Sequence, residues 1–306
     1  MIRTQLALLR REFWEHRAIL VVPVVVAVLI TLTSLTGQVS INQMELLDIG
    51  IVGATNMPEN AREVALSAVM IGLSSSFIFA MWILTIFYTL DSLYAERKDR
   101  SILFWRSIPV TDFETVLSKL LTAMIAIPLV TFIVIIATHL LVLLNVSIWI
   151  EFRGGSPWHL IWTAAPFMDN WVATLVLLLA LPLWLSPFVG WFLFVSAFTK
   201  RSPLLTAALP IFMLPLLEKI LFDSTVLAET FFERSVKMPL FAGIDNMELL
   251  FQEGEDFANF ADAKISLVSL MDLGGFIANP QLWIGLIVCG LLSAAAVYVR
   301  RYRDES

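Results

Sequence analysis

Residue types that carry catalysis are sparse in this chain. Its 306 residues include three histidines and one cysteine. The sequence contains no His-Glu-x-x-His zinc motif, no Gly-x-Ser-x-Gly nucleophile elbow and no Gly-x-x-x-x-Gly-Lys-Ser/Thr phosphate-binding loop. We therefore expect no catalytic residue, no metal site and no cofactor bound by this chain. If ATP drives the protein, another chain must bind it.

The stretch best suited to recognition is a charged segment at 91–118. Charges of both signs come first, an apolar patch at 102–105 follows, and Pro109 then interrupts the pattern. This order favours a short amphipathic helix that meets a soluble partner as a rigid lever. A charged connector whose Trp105 anchors at the membrane interface explains the pattern equally well. The candidate residues for coupling to a partner are Glu96, Arg97, Asp99, Arg100, Trp105 and Arg106.

The segment ends in a helix-start signal. Thr111-x-x-Glu114 has the spacing of a capping box, in which each side chain binds the backbone N–H of the other residue. We expect this box to open a helix that continues into the third apolar run.

Composition decides which kind of fold must position these residues. Hydrophobic residues make up 58% of the chain and charged residues 15%, whereas charged residues make up about 25% of ordinary soluble chains. Such a chain is too apolar for a soluble globule or for a disordered protein. One cysteine excludes a disulfide scaffold, and a net charge of −6 argues against a nucleic-acid partner. The prediction is an all-α integral membrane protein.

Six apolar runs are long enough to cross a membrane, since about 20 apolar residues span a hydrocarbon core of ~30 Å. The first run follows arginines, as in a signal peptide, but no small-residue cleavage site comes after it. We therefore expect one transmembrane domain, 1–306, with an uncleaved first helix. The predicted spans are 18–36, 68–90, 120–144, 171–198, 203–222 and 282–299. Prolines inside the third to fifth spans predict kinks there.

Two further segments lie outside the spans. Residues 1–17 carry Ile2, Leu6, Leu9 and Phe13 at helical spacing, which predicts an amphipathic helix along the inner leaflet. That helix either anchors the first span or also contacts a cytoplasmic partner. The long stretch 223–280 predicts one or two helices on the outer surface.

Orientation follows from the distribution of cations, because cytoplasmic loops retain Lys and Arg. Of the 20 Lys and Arg residues, fourteen lie in the termini and the short loops on one side of the predicted spans, and six lie on the other. Both termini and the 91–118 segment are therefore expected on the cytoplasmic side, and 223–280 outside. Titratable groups within the spans are few: His139 is expected near the far interface. The predicted spans contain no carboxylate–histidine chain at mid-depth, and this absence argues against an ion-coupled transporter.

This arrangement resembles the ABC-2 type permeases. The stretch Leu93-Tyr94-Ala95-Glu96-Arg97-Lys98-Asp99-Arg100-Ser101-Ile102-Leu103-Phe104-Trp105-Arg106-Ser107-Ile108-Pro109-Val110 is similar to the Glu-Arg…Pro-Val stretch that follows span two in that family. Many members have Gly-Thr or Gly-Ser where this chain has Arg100-Ser101. The version here looks like that of one bacterial subgroup.

The resemblance implies a permease subunit for export across the bacterial inner membrane. Two permeases, identical or related, would pair within the lipid, and two copies of a separate cassette ATPase would use ATP and Mg to push the coupling segment. Spans two and five line the path in that family. For this chain that implies a lining suited to a lipid-like or amphipathic cargo, although lipid-facing packing explains the same residues: Phe77, Met81, Trp82, Thr85, Tyr88, Phe212, Met213 and Leu216.

Two alternatives remain open on the sequence alone. A polytopic scaffold or assembly factor would transport nothing, and no cassette ATPase would be encoded beside it. A secondary transporter would use a proton or sodium gradient without ATP. That mechanism requires titratable groups at mid-membrane, which the spans lack.

Overall fold

The computed structural model describes residues 2–36, 58–99, 110–241 and 266–302, and within these ranges the protein is helical without any strand. Six helical segments of this part are long and apolar enough to cross a membrane, and each overlaps one predicted span. The helices are α1 (Ile2–Glu15), α2 (Ala18–Thr36), α3 (Glu59–Lys98), α4 (Asp112–Leu121), α5 (Ile127–Phe152), α6 (Phe167–Trp184), α7 (Ser186–Phe198), α8 (Pro203–Phe222), α9 (Val226–Val236), α10 (Leu273–Ala278) and α11 (Pro280–Tyr302).

Helix α3 is much longer than the apolar run at 68–90. Its 40 residues correspond to roughly 60 Å at 1.5 Å per residue, about twice the thickness of the hydrocarbon core. Helix-favouring polar residues extend it at both ends, and no proline interrupts it between Pro58 and Lys98. The charged end of α3 therefore projects beyond the apolar run as a continuous rod.

The capping box at the start of α4 is confirmed. Glu114 N donates to Thr111 Oγ1 at 3.2 Å, and Thr111 N donates to Glu114 Oε2 at 3.0 Å. Helix α4 then continues through a π-helical turn, Thr122–Ala126, into α5. Pro128 lies in the first turn of α5. Because proline lacks an N–H and its ring crowds the carbonyl four residues earlier, the wider turn accommodates it here.

The predicted fourth span, 171–198, is two helices rather than one. The helix ends at Trp184 and a new one begins at Ser186, with Pro187 in its first turn. Phe188 N donates to Leu185 O at 3.0 Å, so the Trp184 carbonyl is left without its usual helical donor. Arg234 Nε of α9 supplies that donor at 3.1 Å.

Helix α3 forms the centre of the bundle, in contact with α2, α5, α6 and α7. Its buried side chains Phe77, Met81, Leu84 and Tyr88 pack against residues of α2, α5, α6 and α7. Helix α11 lies along α7 and approaches it closely at Gly190, where an added Cβ would be 2.8 Å from Cys289 Cα. Helix α8 is peripheral, because Ala207 is its only buried residue.

Helix α1 forms where the sequence predicts it, and part of its polar face packs inward. Leu6 of the predicted apolar face is 61% exposed, and Phe13 of the same face packs partly against the bundle core. Leu8 and Glu12 are buried against the rest of the chain. In a membrane protein the apolar face of a helix can contact lipid. The polar face can then pack against the rest of the protein, provided that its charges are paired there.

Candidate functional site

Charged side chains from four helices meet in the interior at one end of the bundle. Glu12 of α1 and Lys119 of α4 are fully buried, and Glu96 of α3 and Arg300 of α11 are each only 5% exposed. Charged residues are almost never buried unless they are paired, because leaving water is costly for an ion. We call this group, with Arg11 and Asp112, the ionic cluster.

Lys119 is the bridge at the centre of the ionic cluster. Its Nζ lies 3.0 Å from Glu12 Oε1 and 3.1 Å from Glu96 Oε1. The Tyr88 hydroxyl donates to Glu12 Oε2 at 2.8 Å. One ammonium thus joins a carboxylate of α1 to a carboxylate of α3 by direct contacts.

Glu96 also binds two guanidinium groups. Arg11 Nη2 lies 2.7 Å from Glu96 Oε1, and Arg300 Nη1 binds Glu96 Oε2. Arg300 Nε also donates to Asp112 Oδ1 at 2.8 Å. The last turn of α11 is therefore fixed both to the end of α3 and to the start of α4. Arg300, the first residue after the predicted sixth span, therefore turns its charge into the bundle.

His16 lies beside the ionic cluster, at the bend between α1 and α2. Its ring packs edge-on against Tyr88 with centroids 5.0 Å apart, and its Nε2 is 3.7 Å from Glu12 Oε2. Burial lowers the pKa of His16 below its ordinary value, and the Lys119 charge lowers it further. Glu12, Glu15 and His16 are close enough to share a cation, but the Lys119 ammonium already supplies that positive charge at Glu12.

A second set of contacts fastens the end of α3 to the end of α7. Arg97 Nη2 donates to the carbonyls of Ser196 and Thr199, at 2.7 and 2.8 Å. Ser196 Oγ accepts from the backbone N–H groups of Leu93 and Tyr94, at 3.1 and 3.0 Å. The last two turns of α3 are therefore held on two sides, by the ionic cluster and by α7.

These contacts involve residues within the predicted coupling segment, 91–118. Its first residues, up to Lys98, belong to α3, and its last residues, from Asp112, belong to α4. Glu96 and Arg97 bind within the chain, whereas Asp99 is exposed at the end of α3. The other candidate coupling residues, Arg100, Trp105 and Arg106, lie outside the described residues. Contact of this segment with a partner chain stays a prediction.

The candidate path residues fall into two different environments. Those of α8 are exposed, with Phe212 at 72%. Four from α3 are buried among other helices of the same chain, and Trp82 is partly buried. In this arrangement the α3 side chains belong to the bundle core, and they would line a passage only after the helices separate. The buried residues are Phe77, Met81, Thr85 and Tyr88; the other exposed ones are Met213 and Leu216.

His139 is fully buried between α3, α5 and α6 rather than open to interfacial water. Trp171 Nε1 donates to His139 Nδ1 at 3.3 Å, and the histidine Nε2 lies 3.3 Å from Ser74 Oγ. Since Nδ1 accepts, the neutral ring carries its proton on Nε2 and donates to Ser74. His139 therefore joins three helices.

Sequence reasoning missed most of the ionic cluster. Glu12 and Lys119 are 107 residues apart, and Arg300 and Glu96 are 204 apart. The local signal for Glu12 was its spacing from Gln5 and Leu8, which places all three on one face of α1. The prediction of a helix along the inner leaflet rests on the apolar positions of α1 and does not use that signal.

Comparison of the sequence and structure with family models, with curated proteins and with solved structures gives no match.

Proposed function

We propose that this chain is the membrane-spanning permease subunit of an ABC-2 type transporter. It forms the path for export of a lipid-like or amphipathic cargo across the bacterial cytoplasmic membrane, and a separate cassette ATPase drives it. The observation that carries the proposal is the ionic cluster, which lies at the base of the segment between α3 and α4 and connects that segment to the bundle.

Mechanical coupling requires a rigid connection between the point of contact and the membrane helices. Removing one partner from a buried ion pair costs about 3 to 5 kcal/mol, because the other charge is left buried and unpaired. Helices joined by such pairs move together more readily than they separate. A push on 99–111 is therefore transmitted through Glu96 and Asp112 to α1, α4 and α11.

The proposed assembly contains a second permease, identical or related. Helix α8 supports this part of the proposal, since nearly all its large apolar side chains are exposed in the single chain. Lipid covers such a surface in a monomer, and a partner helix covers part of it in a dimer. The chain binds no ATP of its own in this scheme; ATP and Mg belong to the ATPase subunits.

The proposal is tested by co-purification with the cassette ATPase encoded beside this gene. The wild-type chain is expected to retain the ATPase, and the double variant Arg100→Glu, Arg106→Glu is expected to lose it. Lys219→Glu is the matched control, because this exposed lysine pairs only locally with Asp223. Absence of a neighbouring ATPase gene, or equal retention by all three chains, would overturn the proposal and favour a scaffold.

A further inference from the structure

An apolar cleft of about 320 Å³ lies between α7, α8, α9 and α11. Its walls are almost entirely hydrophobic, and one of the lining residues, Arg234, is charged. Leu214 of α8 and Ile284 of α11 are largely exposed at this cleft, so its open side faces the surroundings of the bundle. In a membrane those surroundings are lipid.

Arg234 is held in place by contacts that use only part of its guanidinium. Nε donates to Trp184 O at 3.1 Å, Nη1 donates to Gln281 O at 2.9 Å, and the guanidinium carbon lies 4.7 Å from the centre of the Trp184 ring. Nη2 is buried and has no hydrogen-bond partner in the described part of the chain. Gly285 makes room for it, since a Cβ there would overlap Nη2.

The N–H groups of Arg234 Nη2 without a partner suit an anion. No carboxylate of the described residues pairs with Arg234, and burial lowers the pKa of its guanidinium. A buried charged donor without an acceptor is costly, whereas a charge-assisted bond to a phosphate is among the strongest hydrogen bonds in proteins.

The cleft also has a polarity gradient. Arg234 contacts α11 at its first turns, through Gln281 and Gly285, and Val288 lines the cleft roughly one turn further along. A ligand that fits has an acidic group at one end and an apolar chain at the other. We propose that this cleft binds an anionic phospholipid, with its phosphate on Arg234 and an acyl chain along α8 and α11.

The inference depends on the cleft alone and holds whether or not the chain is a transporter subunit. It is tested by native mass spectrometry of the purified protein titrated with phosphatidylglycerol or with diacylglycerol, which has the same acyl chains but no phosphate. The wild-type protein is expected to bind phosphatidylglycerol in preference. Arg234→Gln should weaken phosphatidylglycerol binding about tenfold and leave diacylglycerol binding unchanged.

Two further variants test the charge and the cleft separately. Lys237→Gln removes the same charge three residues further along the chain, just after the end of α9, from an exposed lysine paired with Glu233. It should bind phosphatidylglycerol as the wild type does. Val288→Phe fills the cleft, leaves every Arg234 bond intact and should weaken phosphatidylglycerol binding even if Arg234→Gln unfolds. Equal affinity for the two lipids, equal loss in Lys237→Gln and Arg234→Gln, or unchanged binding in Val288→Phe would overturn the proposal.

Discussion

At the scale of single residues, Lys119 is the central cation of the ionic cluster. It is fully buried and lies between two carboxylates on different helices. Lys119→Met leaves Glu12 and Glu96 facing each other without the bridging cation. We expect a loss of about 3 to 5 kcal/mol, visible as a clear fall in the unfolding temperature in detergent.

The control for this substitution is Lys237→Met, whose lysine is exposed and paired only with a neighbour on α9. It should leave the unfolding temperature nearly unchanged. Adding Glu12→Gln to Lys119→Met should restore part of the lost stability, since one unpaired charge is removed. Equal melting of Lys119→Met and the wild type would contradict the buried bridge.

His16 gives the ionic cluster a dependence on pH. Its pKa lies below the ordinary 6.5 because burial disfavours the charged ring and Lys119 repels it, against weaker attraction from Glu12, Asp91 and Glu15. The neutral ring is therefore favoured in the fold. The folding free energy gained by keeping His16 neutral is fully present above pH 6.5, the ordinary pKa. It is lost as the pH falls through the lower pKa that His16 has in the folded protein.

We expect the unfolding temperature of the wild type to fall between about pH 7.5 and about pH 5.5. His16→Gln, which cannot take up a proton there, should show a flatter profile over the same interval. Identical slopes for the two proteins would show that the groups responsible for the acid sensitivity do not include His16.

At the scale of helices, the contact between α7 and α11 depends on Gly190. A Cβ at this position meets the backbone of Cys289 at 2.8 Å, so Gly190→Ala must push the two helices apart. The expected loss is about 1 to 3 kcal/mol, as for other overpacked contacts. Gly290→Ala is the matched control, because a Cβ there meets nothing within 4 Å. Unfolding temperatures in detergent distinguish the two, and equal values would contradict the close approach.

The helices themselves were largely predictable, because a membrane requires about 20 apolar residues per crossing and the sequence displays six such runs. Thr111 and Glu114 also gave a correct helix start, since a capping box is a local signal. The break at Leu185 was harder, because Pro187 predicts a disturbance without saying whether the helix bends or restarts. The inward face of α1 was missed because its counter-charges come from distant helices.

At the scale of the whole molecule, the distribution of cations predicts which ends of the helices lie on the same side of the membrane. Met238, after α9, is predicted outside, and Asp99, at the end of α3, inside. In a Cys289→Ala background, Met238→Cys should react with an impermeant maleimide in intact cells, and Asp99→Cys should react only after lysis. The reverse pattern would invert the topology and remove the coupling segment from the cytosol.

The central claim is that the ionic cluster transmits the motion of a partner ATPase to the membrane helices. The most direct measurement is ATP hydrolysis by the complex reconstituted in liposomes, with wild-type chain, Glu96→Gln or the exposed control Glu233→Gln. The account predicts that all three complexes assemble and that wild type and Glu233→Gln stimulate hydrolysis over the ATPase alone. Glu96→Gln is expected to lose most of that stimulation. Full stimulation by an assembled Glu96→Gln complex would contradict it.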